Sequence, residues 1–341
     1  DALFTATSAV CVTGLIVFDT ATYWSLFGQF VIMLLIEIGG MGVITVAASF
    51  AMIAGRKISL MQRSTMQEAI AAPKVGGIVR LTIFVIKATL MIELLGAVAM
   101  SPVFCRDFGI KGLWMALFHS VSAFCNAGFD LMGVKSPFSS LTFYADEPLI
   151  NFPIMLLIII GGIGFLTWDD IRANRFHIHK YRMQSKVIIS TTAILILIPA
   201  LYFYFFEFSD LGLKERIFSS LFQSVTPRTA GFNTVDLTSM SEAGQFITII
   251  LMLIGGSPGS TAGGMKTTTI AVLFAIAIAT FRRREDANFF GRRINGDVLK
   301  NAATVFLMYI TLSGVGGLII SITEDLLILP CLFEAASAVG T

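Results

Sequence analysis

Charge is what this chain of 341 residues has least of: 13% of it is Asp, Glu, Lys or Arg, against about 25% in an average soluble domain. Its 24 basic and 22 acidic side chains cannot supply the polar surface of a water-soluble protein this size, so an ordinary cytosolic globule is excluded. The bilayer is the main solvent. The net charge of +2 gives no footprint for nucleic acid. Cysteine is scarce too: Cys11, Cys105, Cys125 and Cys331 lie far apart, with no CxxC or Cys/His spacing. They read as free thiols, neither a metal site nor a disulfide frame. Of three histidines, His119 is expected to bond locally, while His177 and His179 sit in a basic loop, so no metal role is expected. No signal or transit pattern is present, and the abrupt opening Asp1-Ala2-Leu3-Phe4 implies a missing initial segment.

What is abundant is apolar length. Runs able to cross a hydrocarbon core, roughly 20 residues, occupy 24–54, 81–104, 148–168, 187–206, 246–280 and 302–322, which predicts six spans. Shorter half-apolar stretches at 3–14, 113–128, 215–231 and 327–341 end in Ser, Thr, Ala and Gly and are too short to cross. Each alone reads as a re-entrant segment or an amphipathic surface helix. The connections at 55–80, 168–187 and 281–300 hold 16 of the 24 basic residues and 6 acids, so they face the cytoplasm. The opposite connections hold 11 acids and 5 basic residues. All four short stretches abut that outer side, which favours re-entry.

The chain repeats itself. Leu34-Leu35-Ile36-Glu37-Ile38-Gly39-Gly40-Met41-Gly42-Val43-Ile44-Thr45 returns at 156–167 as LLIIIGGIGFLT, with 8 of 12 positions identical, and a third copy starts at Leu253-Ile254-Gly255-Gly256. The stretch from His119 to Phe129 parallels that from Gln223 to Phe232, one residue shorter; Ser8–Gly14 and Phe333–Thr341 belong to the same set. The unit is a spanning helix, a half-helix with an extended return, and a second spanning helix with a Gly-Gly step. The Gly-Gly steps at Gly39-Gly40 and Gly161-Gly162 read equally as plain close-packing devices. The expected fold is an all-α polytopic membrane protein with four helix, pore loop, helix repeats in pseudo-fourfold arrangement around one ion pore. Its repeats cover 1–55, 80–168, 185–281 and 298–341, the first lacking its opening helix and the last its closing one.

Non-helical backbone in lipid survives only where protein or a water-filled path lines it. Four returns around an axis provide such a lining. Glycines at Gly14, Gly128 and Gly231 permit dihedrals that turn carbonyl oxygens toward that axis, where they replace the hydration shell of a monovalent cation. The half-helices aim their partly negative C-terminal ends inward, favouring cations.

At these residues the sequence resembles the membrane subunit of the Ktr/Trk/HKT potassium-transporter superfamily, most closely the bacterial Ktr-type subunit, over its whole length. The resemblance implies a potassium filter at Val12, Thr13 and Gly14, at Asn126, Ala127 and Gly128, and at Thr229, Ala230 and Gly231. In the fourth quarter it implies Gly340 and Thr341, with the filter glycine beyond Thr341. Glycine at the first return fits potassium-selective members. Sodium enters as a coupling or activating ion at most. The resemblance also implies a homodimer in the cell membrane on a cytoplasmic nucleotide-binding regulatory ring. The basic inner loops, including Arg282-Arg283-Arg284, suit such a ring and suit anionic lipid equally well.

The third repeat departs from the others within 255–269, at Gly255, Gly256, Ser257, Pro258, Gly259, Ser260, Thr261, Ala262, Gly263, Gly264 and Lys266. Met265 between Gly264 and Lys266, and the apolar flanks, speak against a phosphate-binding loop. A break in the spanning helix is expected here, and the resemblance implies that this loop gates the pore. Glu37, Lys87, Glu93, Arg228, Lys266 and Glu334 are isolated ionisable residues in apolar surroundings. Lys87 is expected to neutralise Glu37 or Glu93, Arg228 to brace its return, and Lys266 to hold the glycine-rich loop. No catalytic residues are needed, so no enzyme is expected. An alternating-access symporter is the alternative, but its repeats are normally two and inverted.

Overall fold

A computed structural model describes residues 1–43, 45–46, 59–70, 76–175, 177–284 and 286–340. In chain order its longer helices are α1 (Ala2–Cys11), α2 (Leu26–Met41), α3 (Leu60–Ile70), α4 (Ile78–Phe108) and α5 (Lys111–Phe124). They continue as α6 (Pro148–Gly162), α7 (Phe165–Asn174), α8 (Met183–Tyr202), α9 (Leu213–Val225) and α10 (Glu242–Leu253). The last are α11 (Thr267–Phe281), α12 (Gly296–Glu324) and α13 (Ile328–Gly340). A small hairpin pairs Asn288–Phe289 with Arg292–Arg293 in the basic connection before α12.

Three of the six expected spans are continuous helices long and apolar enough to cross: Ile78–Phe108, Met183–Glu207 and Gly296–Glu324. The span expected at 148–168 is corrected: α6 and α7 meet at a bend of 97°. The break falls at Gly164, whose φ of +87° lies in the left-handed region. The span expected at 246–280 is two helices, α10 and α11, separated by the glycine-rich stretch. In the first, α2 spans Leu26–Met41, and residues 44 and 47–54 lie outside the described ones.

The four half-apolar stretches are the short helices α1, α5, α9 and α13. The core around them is built from phenylalanine: Phe104, Phe118, Phe124, Phe129, Phe222 and Phe232 are fully buried. α4 and α5 pack backbone to backbone because Gly112 lies against the carbonyl of Phe104. Outward faces stay apolar; on α12, Leu307, Met308, Leu312 and Ile319 are each more than half exposed, as a lipid-facing surface requires.

The Gly-Gly steps have a common use. Gly39 of α2 lies against the Val10 carbonyl near the end of α1, and Gly161 of α6 lies against the Phe124 carbonyl ending α5. A side chain at either place collides with backbone, which cannot give way. Gly161→Val is therefore expected to destabilise the protein by about 1–3 kcal/mol, read as a lower melting temperature in detergent. Gly314→Ala, with open space around it, is expected to leave melting unchanged or raise it slightly.

Candidate functional site

After α1, α5 and α9 the backbone does the same thing three times. A non-glycine residue turns left-handed, and a glycine two positions on does so again: Val12 and Gly14 (φ 58° and 68°), Asn126 and Gly128 (57° and 71°), Thr229 and Gly231 (68° and 79°). A left-handed non-glycine residue costs roughly 1–2 kcal/mol, so three recurrences mark a shape enforced by surrounding structure. Part of the enforcement is visible. The Ser122 hydroxyl donates to the Phe129 carbonyl at 2.7 Å, and the Thr226 hydroxyl donates to the Phe232 carbonyl at 2.6 Å. In the first return the hydroxyls of Ser8 and Thr13 bond to each other at 2.8 Å. His119 braces the second return: its Nε2 accepts from the Leu131 amide at 3.3 Å, leaving Nδ1–H to donate to the Met115 carbonyl at 2.7 Å.

The returns touch. A β-carbon on Gly14 would lie 2.6 Å from the Ala127 oxygen, and one on Gly128 would lie 2.9 Å from the Ala230 oxygen and 3.0 Å from the Gly231 α-carbon. The first return thus abuts the second, and the second abuts the third. Beside them is a cavity of about 200 Å³ lined by Thr13, Asn126, Ala127, Thr229, Ala230, Gly231 and Gly340. Val12, Gly14 and Gly128 immediately adjoin that lining in sequence; Thr341 lies outside the described residues. A second cavity, about 570 Å³, shares Asn233, Leu237, Phe333 and Glu334 with the first. Glu334 is therefore the isolated ionisable residue that faces both.

The glycine-rich stretch is a closed loop. Gly255 N–H donates to the Met265 carbonyl at 3.0 Å and Gly256 N–H to the Gly263 carbonyl at 3.3 Å. Lys266 holds it from within, donating from Nζ to the Ala262 and Gly263 carbonyls at 2.7 and 3.3 Å. Outwardly the loop is sewn into the bend between α6 and α7: Ser257 N–H donates to Gly162 O at 2.9 Å, Thr261 N–H to Gly161 O at 3.2 Å, and Phe165 N–H to Gly259 O at 2.8 Å. It also reaches the returns. The Thr261 hydroxyl donates to the Phe124 carbonyl at 2.9 Å, and Gly263 N–H donates to the Thr229 hydroxyl at 3.2 Å. A β-carbon on Gly264 would sit 3.2 Å from the Gly340 oxygen.

Two expectations fail here. Lys87 is exposed and makes no ion pair among the described residues; six positions before Glu93, it falls on another face of α4. Glu37 and Glu93 face each other instead, with the Cys125 thiol beside them. Arg228 is buried, but its Nε has no hydrogen-bond partner, and no bond from its guanidinium braces the return among the described residues.

Sequence reasoning passed over an acidic pair, Asp19 and Asp130. Asp19 caps the turn Thr20–Tyr23, accepting from the Ala21 and Thr22 amides at 3.0 Å each, and accepts from the distant Phe138 amide at 3.1 Å. It thereby joins the segments following the first and second returns. Asp130 accepts from the Met132 amide at 2.9 Å. Burial, then the nearby Asp19 charge, pushes the Asp130 carboxyl up to about 6.

The profile of the TrkH family, described as a cation transport protein, matches residues 1–341. The potassium/sodium uptake protein NtpJ of Enterococcus hirae is 42% identical, over all of this chain and 76% of its own length. The Ktr system potassium uptake protein B of Bacillus subtilis is 38% identical, over all of this chain and 77% of its own length. Among solved structures, the crystal structure of the potassium transporter TrkH from Vibrio parahaemolyticus superposes with a TM-score of 0.75 at 21% identity, over 99% of this chain and 68% of that one. These include potassium transport proteins, and the last shares the fold.

A carboxyl raised in the folded state stabilises it fully below its ordinary value of 3.8, and that contribution is lost as pH rises through about 6. Thermal stability is thus expected to fall between these values, and Asp130→Asn is expected to flatten that part of a pH-resolved melting profile.

Proposed function

The chain belongs to the TrkH family of cation transport proteins, and we propose that it takes up potassium across the cell membrane along a path formed by its returns. The observation that supports this most is the contact of three returns with one repeated left-handed pattern beside a cavity that Gly340 of the fourth short helix also lines. In this reading the carbonyls around Gly14, Gly128 and Gly231 take the place of water about a dehydrated potassium ion. Residues 1–55, 80–168, 185–281 and 298–341 act as four quarters of one pore. The driving force is the membrane potential, about 2.3 kcal/mol per charge per 100 mV. Sodium, named with potassium for the Enterococcus relative, serves as a coupling or activating ion.

The loop between α10 and α11 is the gate. It bonds to the second and third returns through Thr261 and Thr229, and its tether to the α6–α7 bend gives it a seat to leave and regain. Lys266, bonded inside the loop, keeps it closed as a unit. A homodimer and a nucleotide-binding ring against the basic inner loops complete the assembly, a reading supported by the "Ktr system" naming of relatives.

Serine at Gly128 meets both an unfavourable φ and the backbone of the third return. Gly128→Ser is expected to cut potassium uptake roughly tenfold, the equivalent of about 1.4 kcal/mol, and to narrow the preference over sodium in proteoliposome flux assays. Preserved discrimination there and in Gly14→Ser and Gly231→Ser would remove the filter assignment. Deleting residues 257–265 is expected to raise potassium flux; an unchanged flux would remove the gate.

A further inference from the structure

The carboxyl groups of Glu37 and Glu93 have no part in the path described above. Glu37 on α2, Glu93 on α4 and Cys125 at the end of α5 bring two carboxyl oxygens and a sulfur within 4.8 Å of one another. The Cys125 thiol donates to Glu37 Oε2 at 3.6 Å. Glu93 is 3% exposed, and among the described residues neither its Oε1 nor that of Glu37 meets a hydrogen-bond donor.

Among the described residues no neighbouring group gives the pair a counter-charge. On α4, Lys87 is exposed on another face. On α5, both ring nitrogens of His119 are occupied, and the Ser120 hydroxyl donates at 2.6 Å to the Glu93 backbone carbonyl, not to its carboxyl. On α2, Gly40 presents only backbone, against Cys125. Among the described residues no Lys, Arg or His pairs with either glutamate. Two carboxylates this close, desolvated and uncompensated, repel each other, and acids so placed hold a proton in common.

We propose that Glu37 and Glu93 form a proton-binding site, an acid pair that keeps at least one proton between its carboxyl groups and thereby holds the second return in place. The proton comes from water and goes back to water; no other bond is made or broken. The link to the return is short: Glu37 accepts from Cys125, and Cys125 immediately precedes the left-handed Asn126. When the proton leaves, the second charge drives the carboxyls apart, and Glu37 draws α2 away from Cys125. The site is independent of which ion the path conducts.

The test is infrared spectroscopy of the purified full chain at a pH well above the value of about 6 to which the Asp130 carboxyl is raised, so that Asp130 does not contribute to the band. A deuterium-sensitive band of protonated carboxyl is expected in the native protein, weakened in Glu37→Gln or Glu93→Gln and missing in the double variant. Uptake by the native protein is expected to fall several-fold on further alkalinisation, while that of Glu93→Gln, whose amide keeps a hydrogen bond to Glu37, stays flat. If the variants do not fold, alkaline titration of the native band reads the proton directly. A native spectrum showing only ionised carboxylates would overturn the proposal. So would a stoichiometric divalent metal in elemental analysis of the native protein.

Discussion

Everything irregular in this molecule depends on one constraint: a peptide group inside a membrane must find its hydrogen-bond partner within the protein. The loop between α10 and α11 and the break between α6 and α7 each leave amides and carbonyls that no helix satisfies. Each answers the other, through Ser257 N–H to Gly162 O, Thr261 N–H to Gly161 O and Phe165 N–H to Gly259 O. Neither irregularity is stable alone at that depth. The 97° bend is thus the counterpart of the glycine-rich loop, although nearly a hundred residues separate them.

The same constraint explains the hydroxyls behind the returns. A strand leaving a helix end carries carbonyls that face back into the protein, and Ser122 and Thr226 take those of Phe129 and Phe232. With the inner side satisfied by side chains, the other side is free to meet a cavity. Glycine then serves closeness more than flexibility: at Gly39 and Gly161 the second helix of a unit touches the carbonyl end of a short helix directly. Cation-favouring ends and tight backbone contact come from one device.

Much of this was legible in the chain itself. The four short helices were readable because four apolar stretches too short to cross shared an ending, and the matched contacts of Gly39 and Gly161 were readable because Gly-Gly recurred at matched positions. The bend in α6–α7 was not, since residues 148–168 carry no charge and read as one apolar run, and the loop that partners the break at Gly164 is distant in sequence. Lys87 was paired with Glu37 or Glu93 because charge complementarity is visible in a sequence and helical facing is not: six residues turn a side chain away. The Glu37–Cys125 contact spans 88 residues and depends on how three helices meet, which no local pattern encodes. The role of the Ser122 hydroxyl was not legible, because its partner, the Phe129 carbonyl, comes to it only when the chain doubles back.

Thr229 belongs to two structures at once. Its backbone forms the left-handed corner of the third return, and its hydroxyl receives the Gly263 amide of the loop. Without that amide the Thr229 oxygen loses a donor and has to find another. Strain at the corner and the position of the loop are therefore mechanically joined through a single oxygen atom, so whatever disturbs the one is felt by the other without any longer route through the fold.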